Sequence, residues 1–320
     1  MSHLRHQKNR KFAFYFRGFS EYALIPDFLF RRRLGKWLIN NYKYNPHEIQ
    51  SRVNYYNKLE DTFTVPDSAL VLRKISKKSK TYFLDLRQVL RYFPSQVRSY
   101  YRFGDIIDTN EVPGFVKTRP IKGPNTNSVL MRLEGLRHFT PINDVLPYRE
   151  KKDVLVWRGV VHGDHRSIIF QKYLDHPLFN IGMTNRRKST LPKVESWRRS
   201  FMSINEQLQY KFILSIEGND VATNLKWIAQ SNSLCLMNKP KIESWFMEGT
   251  LVPGKHYVEV RNDYADLLEK IQYYLKHPEE AEQIIFNFQT YYKQFTDLKK
   301  EHLIGLLVAR KYFSLSNQLI

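Results

Sequence analysis

The chain has 320 residues, of which 42% are hydrophobic and one is a cysteine, and its formal charge is +20 at pH 7. This length and apolar content support two ordinary α/β domains or one large one, and they argue against a disordered chain. The lone Cys235 excludes an internal disulfide, and its apolar neighbours predict a small buried hydrophobe rather than a nucleophile. The charge predicts an anionic partner or surface whatever the fold.

The first 50 residues contain ten Lys or Arg and three acids, with aromatic residues such as Phe12, Phe16 and Phe28 among them. This mixture suits anionic lipid headgroups, single-stranded nucleic acid, or a solvated basic face over buried aromatics. The first apolar stretch, 22–30, is interrupted by Pro26 and Asp27, so we expect no secretory signal. No run reaches the roughly 20 apolar residues that a bilayer span requires, and a cytoplasmic protein is expected.

Strand-like runs are few before residue 150 and frequent after it. The early ones lie at 81–86, 105–107 and 114–117, among helical or irregular basic segments. Later, short β-rich runs alternate with stretches of helical length, which is the pattern of a parallel sheet with crossover helices. Strands are expected at 154–157, 179–183, 211–216, 234–237 and 256–260. Helices are expected at 167–174, at 223–230, around Trp245, from 264 onward with a break at His277 and Pro278, and at 298–313.

Two predicted strand-to-helix turns carry residues that suit a phosphate ligand, which in open α/β sheets binds beyond the carboxyl ends of the strands. The first turn runs from Arg158 and Gly159 to Arg166. Arginine can pair bidentately with phosphate oxygens, and glycine lets the backbone approach them. The second turn leads into a helix start, where the dipole favours a diphosphate, and contains Glu217, Gly218, Asn219, Asp220, Thr223, Asn224 and Lys226.

Neither turn is a Walker loop or a dinucleotide fingerprint, so ordinary turns with surface arginines are the alternative interpretation. His162 and His165 in the first turn raise the question of a metal site. Two histidines without two further ligands favour contacts with diphosphate or solvent, and no metal is expected.

Longer motifs around these turns resemble glycosyltransferase family 90. They include "WRG" from Trp157, "YKFILSIEGNDVATNLKWIAQSNSLCLMNKPKIESWFMEGTLVPGKHYVEV" from Tyr210, and "FGDIIDTNEVPGFVKTRPI" from Phe103. The resemblance covers roughly residues 103–295, and "FVKTRPI", "ATNLKWI" and "ESWFMEG" are similar to the bacterial lipopolysaccharide branch.

That resemblance implies an α/β fold of the GT-B kind, with two Rossmann-like domains facing across a cleft and C-terminal helices. The change in pattern near 147–153 sets the expected boundary between the two domains. With the roles that the resemblance implies, 1–150 is expected to be the acceptor-side domain and 151–295 the nucleotide-sugar-binding domain, and 296–320 is expected to be a helix that packs back on the first domain. It also implies an inverting, metal-independent transfer of a hexose from a UDP-sugar to a hydroxyl of a bacterial surface glycan. No cofactor is expected beyond the donor substrate, and the sequence contains no Asp-x-Asp pair.

The family's catalytic aspartate corresponds to Asp105, with Asp108 as the rival and a structural turn aspartate as the alternative. Arg158, Arg166 and Lys226 are expected to neutralise the leaving diphosphate. Glu243 is expected to hold the ribose hydroxyls or to serve a helix dipole. Asn224 stands where many eukaryotic members carry an arginine, and this difference is expected to change either phosphate binding or the choice of donor sugar.

The partners expected are therefore a nucleotide sugar and a lipid-linked glycan acceptor, with the basic N-terminal segment on the cytoplasmic face of the inner membrane. The rival interpretation from another class is a basic nucleic-acid-binding protein or nuclease. The sequence contains no recognised binding motif for it and no clustered carboxylates for two metals.

Overall fold

The computed structural model describes residues 2–39, 43–161, 164–184 and 195–319. The helices are α1 (Ser2–Leu24), α2 (Asp27–Arg31), α3 (Leu34–Ile39), α4 (Pro46–Tyr56), α5 (Lys80–Leu90), α6 (Gly135–His138), α7 (Ile168–Tyr173), α8 (Ile204–Gln207), α9 (Leu225–Ile228), α10 (Leu267–Lys276), α11 (Pro278–Lys293) and α12 (Leu298–Leu315). The strands are β1 (Leu70–Val71), β2 (Arg98–Ser99), β3 (Tyr101–Arg102), β4 (Gly114–Val116), β5 (Thr118–Pro120), β6 (Ser128–Leu130), β7 (Lys152–Gly159), β8 (Phe179–Met183), β9 (Tyr210–Ser215), β10 (Leu234–Met237), β11 (Ile242–Ser244) and β12 (Val258–Glu259).

The chain divides into two compact units, each made of three separate segments of the sequence. Unit 1 consists of Met1–Arg5, His138–Pro240 and Thr250–Gln294. Unit 2 consists of His6–Arg137, Lys241–Gly249 and Phe295–Ile320. The short segment Lys241–Gly249 therefore interrupts unit 1 and carries β11 into unit 2.

Unit 1 is built on a five-stranded parallel sheet with the order β12-β10-β9-β7-β8. Its central strands β9 and β10 are almost continuous runs of buried residues, as expected for parallel strands covered on both faces. Buried side chains of the helices join the same core as the strands; among them are Phe170, Leu267, Ile271 and Ile284. The mixed α/β architecture with parallel sheets is thus confirmed.

The strand predictions for unit 1 are confirmed: 179–183 and 234–237 match β8 and β10, and the other three overlap β7, β9 and β12. The predicted break between helices at His277 and Pro278 separates α10 from α11. The helix expected around Trp245 is wrong. The chain there forms β11, which pairs antiparallel with β5, and a turn follows.

Unit 2 contains a three-stranded parallel sheet in the order β3-β4-β6 and two short antiparallel ladders, β1 with β2 and β5 with β11. Helix α12 packs against α4 and α5. A buried ion pair fixes this packing, because Arg52 of α4 lies 2.5 Å from Glu301 of α12. Trp245 adds its indole N–H to the same carboxylate at 2.5 Å.

Two of the three early strand predictions are wrong. Residues 81–86 lie in α5, where Phe83, Leu86, Arg87 and Leu90 are buried at helical spacing. Residues 105–107 are irregular, whereas 114–117 overlaps β4 as expected. Among the described helices, none combines the length and the apolarity that a membrane crossing requires.

Candidate active site

The loops after β7 and β9 lie at the carboxyl edge of the unit 1 sheet, where the strand order reverses. In chain order, β7 is the first strand of this sheet. The next strand, β8, pairs with one side of β7, and the strand after that, β9, pairs with the other side. In open α/β sheets such a switch point is the usual place for a nucleotide, because the diverging chains open a crevice there. Arg158 and Gly159 end β7, and residues 217–220 follow β9.

Arg166 connects the two loops. Its guanidinium donates to the carbonyl oxygens of Val160 at 2.6 Å, Ile216 at 2.8 Å and Glu217 at 2.9 Å. Burial lowers the pKa of Arg166. A Cβ added at Gly218 would lie 3.1 Å from the Nη2 atom, so the glycine lets the guanidinium approach the turn.

Arg158, near the end of β7, is held in a similar way by contacts that reach the neighbouring strand β8. It donates to the backbone oxygens of Asn180 at 2.7 Å and Trp157 at 3.0 Å, and to the Asn180 side chain at 2.8 Å. Its Nε donates to Ser200 at 3.2 Å. Burial, helped by repulsion from Arg199, lowers the pKa of Arg158.

The acceptors that orient these two arginines are neutral carbonyl and amide oxygens. They fix each guanidinium without cancelling its charge, so the crevice keeps a positive field that favours an anionic ligand. The same contacts give both arginines a structural task, since Arg158 ties β7 to β8 and Arg166 ties the segment after β7 to the segment after β9.

The turn after β9 is anchored to its own strand. Asn224 donates to the Leu214 carbonyl at 2.9 Å and accepts from the Ser215 hydroxyl at 3.0 Å, which fixes the start of α9. Asn219 is exposed, and Glu217 and Thr223 are half-buried. Asp220 and Lys226 are buried, and Lys226 has no exposed surface, so this lysine does not face solvent.

His165 contacts the Glu217 carbonyl at 3.0 Å, whereas His162 and Gly163 lie outside the described residues. Within the described ranges, no three or more His, Cys, Asp or Glu side chains are grouped in a way that could hold a metal.

In unit 2, Asp105 forms an ion pair with Lys117 at 2.7 Å. The lysine side chain is 2% exposed and that of Asp105 is 35% exposed. Lys117 also lies 3.5 Å from Glu134, which accepts a hydrogen bond from Tyr82 at 3.3 Å. Burial raises the pKa of Tyr82 to about 12, so this hydroxyl stays protonated at neutral pH.

The rival Asp108 has a different environment. Its side chain is 64% exposed and lies 2.9 Å from Arg102, another partly exposed residue. An ion pair of this kind is screened by water and fixes neither partner firmly. Of the two aspartates, only Asp105 is held by a buried cation.

The motif "FVKTRPI" holds the Asp105 segment in place. Its Thr118 hydroxyl donates to the Ile106 carbonyl at 2.9 Å, and the Thr118 hydroxyl oxygen accepts from the Ile106 N–H at 3.3 Å. Gly104 precedes the aspartate with φ +117°, a conformation that disfavours any residue with a Cβ. The backbone of the loop and the carboxylate are thus held by two consecutive side chains, Thr118 and Lys117.

Glu243 lies in unit 2, on β11, and is 2% exposed. One carboxylate oxygen accepts from Arg119 Nε at 2.8 Å and the other from the Tyr55 hydroxyl. The carboxylate therefore holds Arg119 and does not face solvent, and it stands in a strand rather than at a helix start.

Sequence reasoning missed Lys117, Thr118, Arg119 and Tyr55. Three of them lie in "FVKTRPI", which pointed to a family but not to individual roles. Arg119 and Tyr55 contact Glu243, which lies 124 and 188 positions away from them in the chain.

Comparison with known proteins identifies the class. The model of "Glycosyl transferase family 90" matches residues 132–304. The O-glucosyltransferase LpsA of Dichelobacter nodosus is 47% identical over 268 residues, which is 83% of this chain and 83% of that protein. The chain belongs to glycosyl transferase family 90.

More distant relatives are similar over shorter stretches. Protein O-glucosyltransferase 3 of Homo sapiens is 25% identical over 181 residues, which is 53% of this chain and 35% of the human protein. Protein O-glucosyltransferase 2 of Danio rerio is 31% identical over 104 residues, or 32% of this chain and 19% of the fish protein. The range of the family 90 model includes the unit 1 crevice, and Asp105 and Lys117 precede it.

This family 90 chain is therefore a glycosyltransferase.

Proposed function

We propose that this family 90 glycosyltransferase transfers glucose from UDP-glucose to a hydroxyl of a bacterial lipopolysaccharide or related surface glycan. The similarity to the O-glucosyltransferase LpsA supports glucose as the sugar. The observation that carries the proposal is the switch-point crevice of unit 1, where Arg158 and Arg166 are oriented by neutral acceptors and keep their charge.

In this proposal unit 1 binds the nucleotide sugar as the donor domain of a GT-B-type enzyme. The uridine diphosphate lies against the turns after β7 and β9, whose residues are Arg158, Gly159, Arg166, Glu217, Gly218, Asn219, Asp220, Thr223 and Asn224. The two arginines stabilise the negative charge that grows on the diphosphate when the glycosidic bond breaks. We propose that this reaction needs no divalent metal.

The buried Lys226 acts in this scheme by supporting the helix start and not by contacting phosphate, because its side chain has no exposed surface. Glu243 likewise supports the fold through Arg119 and is not assigned to the ribose.

Asp105 is the proposed general base. The acceptor hydroxyl loses its proton to the carboxylate and attacks the anomeric carbon, while the bond from that carbon to the diphosphate oxygen breaks. A single displacement of this kind inverts the anomeric configuration. Lys117 supports the role of Asp105, since a cation at 2.7 Å favours the ionised carboxylate that a base requires.

The proposal is tested by a screen of nucleotide sugars with the purified chain in EDTA. UDP-glucose is expected to raise the melting temperature and to be hydrolysed slowly, with UDP-galactose, GDP-mannose and ADP-glucose as controls. Transfer would then be followed by mass spectrometry on lipopolysaccharide core oligosaccharides. Stabilisation by oligonucleotides with a steep salt dependence, together with no response to any nucleotide sugar, would contradict the proposal.

A further inference from the structure

Helices α1 and α2 present large apolar side chains to solvent. Phe12 and Phe16 are 71% and 64% exposed, and their rings stack with centroids 5.9 Å apart. Leu24 is 78% exposed at the end of α1, and Phe28 and Leu29 of α2 are also exposed. Beside the stacked rings is an apolar groove of about 480 Å³, lined by Lys11, Phe12, Tyr15, Phe16, Phe19 and Ser20.

The orientation of α1 is fixed by its other face, which packs on α5. The Tyr15 hydroxyl lies 2.9 Å from the Thr81 hydroxyl, and the ring of Tyr22 meets that of Phe83 edge-on at 5.8 Å. Gly18, between Tyr15 and Tyr22, lets α1 approach α5 closely, since a Cβ added at Gly18 would lie 2.8 Å from the Leu84 side chain. Phe12 and Phe16 therefore remain outside the core although they are among the most apolar residues of the helix.

The acids of this region are paired with buried arginines, whereas several cations remain at the surface. Glu21 lies 2.6 Å from Arg91, and Asp27 lies 2.5 Å from Arg87, both on α5 or at its end. Arg17 is exposed and pairs with Glu21 at 2.8 Å, and the other exposed cations on α1 to α3 are Lys11, Arg32, Arg33 and Lys36. Arg32 lies 5.5 Å from the centre of the Phe28 ring, and Lys11 lines the groove beside Phe12, so each helix has a cation next to its exposed rings.

We propose that α1 and α2 form a docking surface for an anionic lipid bilayer, which we call the lipid-facing ridge and define by Phe12, Phe16, Leu24, Phe28 and Leu29. Apolar side chains next to exposed cations match the boundary between acyl chains and anionic headgroups. The ridge binds membrane whatever the donor sugar of the enzyme is, and it would place the protein where lipid-linked acceptors are found.

The composition of the ridge favours lipid over nucleic acid. Bases stack on aromatic rings, but Leu24 and Leu29 have no π-face and gain nothing from stacking. Aliphatic and aromatic side chains are equally suited to an acyl environment, and the exposed cations Lys11, Arg32, Arg33 and Lys36 attract anionic headgroups within a Debye length.

Sedimentation of the full chain with vesicles tests this proposal. Binding is expected to vesicles of 70% phosphatidylcholine and 30% phosphatidylglycerol, and to fall at least tenfold for phosphatidylcholine alone. The double variant Phe12→Ser, Phe16→Ser is expected to lose at least tenfold in binding. The matched control is Phe286→Ser, which removes a 58% exposed phenylalanine from α11 and should bind as the unchanged chain does.

Charge variants distinguish the contribution of the cations near the ridge from that of the net charge of the protein. Arg33→Glu, Lys36→Glu should weaken binding to anionic vesicles several-fold. Lys255→Glu, Lys276→Glu changes the net charge equally at exposed positions of unit 1 and should have little effect. Melting temperature and UDP binding of every variant report whether it is folded.

Three results would overturn the proposal. One is equal vesicle binding by the Phe12, Phe16 variant and the unchanged chain. Another is tighter, Phe12-dependent binding to single-stranded oligonucleotides than to vesicles. The third is a dimer that dissociates in the double variant, which would assign the ridge to a second copy of the chain.

Discussion

Lys117 lies 2.7 Å from a carboxylate oxygen of Asp105, and the lysine is buried while the aspartate is partly exposed. The buried cation holds the carboxylate in one place, yet about a third of the Asp105 side chain still meets solvent. A proposed base needs both properties, because it must be positioned and must also be reachable by a substrate hydroxyl.

Asp105→Asn is therefore expected to lower kcat by about 10²- to 10⁴-fold, the usual contribution of a general base. The affinity for UDP should change less than about twofold, because no proton transfer is involved in nucleotide binding. Transfer assays and isothermal titration measure the two effects. Asp108→Asn is the control and should keep near-normal kcat; the reverse ranking of the two variants would move the base to Asp108.

Lys117→Met tests the positioning of Asp105. The variant keeps the approximate volume but removes the cation shared by Asp105 and Glu134, so kcat should fall at least tenfold while KM for the donor stays nearly constant. Lys117→Arg keeps the charge and should recover part of the activity. An unchanged kcat in Lys117→Met, with only lower thermal stability, would show that the lysine serves the fold alone.

The unit 1 sheet could be predicted from sequence because buried parallel strands read as continuous apolar runs, as in Phe212–Leu214 and Leu234–Met237. Unit 2 could not, because its strands have two or three residues, too few for any periodicity. In α5, Tyr82 and Phe83 suggested a strand, and helix packing overrode that local preference.

The candidate site divides in the same way. Arg158 and Arg166 could be proposed because they sit in turns directly after predicted strands. The roles of Lys117 and Arg119 depend on contacts with other segments, and no local pattern encodes those. Glu243 shows the same limit, because its partners, Arg119 and Tyr55, are 124 and 188 positions away.

Arg166→Met is expected to weaken UDP binding at least tenfold and to lower stability by about 1–3 kcal/mol, because three carbonyls lose their donor. Titration calorimetry and urea unfolding measure the two effects. The control is Arg149→Met, which removes an exposed arginine of unit 1 from ion pairs with Glu279 and Glu282 and should leave both stability and UDP affinity nearly unchanged. Normal UDP affinity in a folded Arg166→Met protein would limit this arginine to a structural role.

Glu243→Gln should lower the free energy of unfolding by about 3–5 kcal/mol, since it leaves the Arg119 charge buried without its carboxylate. Tyr55→Phe, which removes only the second hydrogen bond, should cost about 1 kcal/mol. Urea unfolding checks both values. A role at the ribose predicts the opposite result, namely weaker UDP binding by Glu243→Gln at unchanged stability.

Asp85 gives a pH-dependent stability that one substitution can isolate. Burial raises the pKa of Asp85 to about 7, although the Gly135 N–H donates to its carboxylate at 2.9 Å. Aspartate in the unfolded chain has a pKa of about 4, so between about pH 4 and pH 7 the folded protein keeps a proton that the unfolded chain releases. The contribution of this group to stability is therefore highest below about pH 4 and is lost as the pH rises to about 7, by up to about 1.4 kcal/mol per pH unit.

Asp85→Asn cannot ionise and keeps an acceptor for Gly135, so its stability relative to the unchanged chain should increase across this window. Urea midpoints of both proteins at pH 5, 6, 7 and 8 measure the difference. A difference in midpoint that stays constant over all four pH values would mean that Asp85 is already ionised in the folded protein at pH 5.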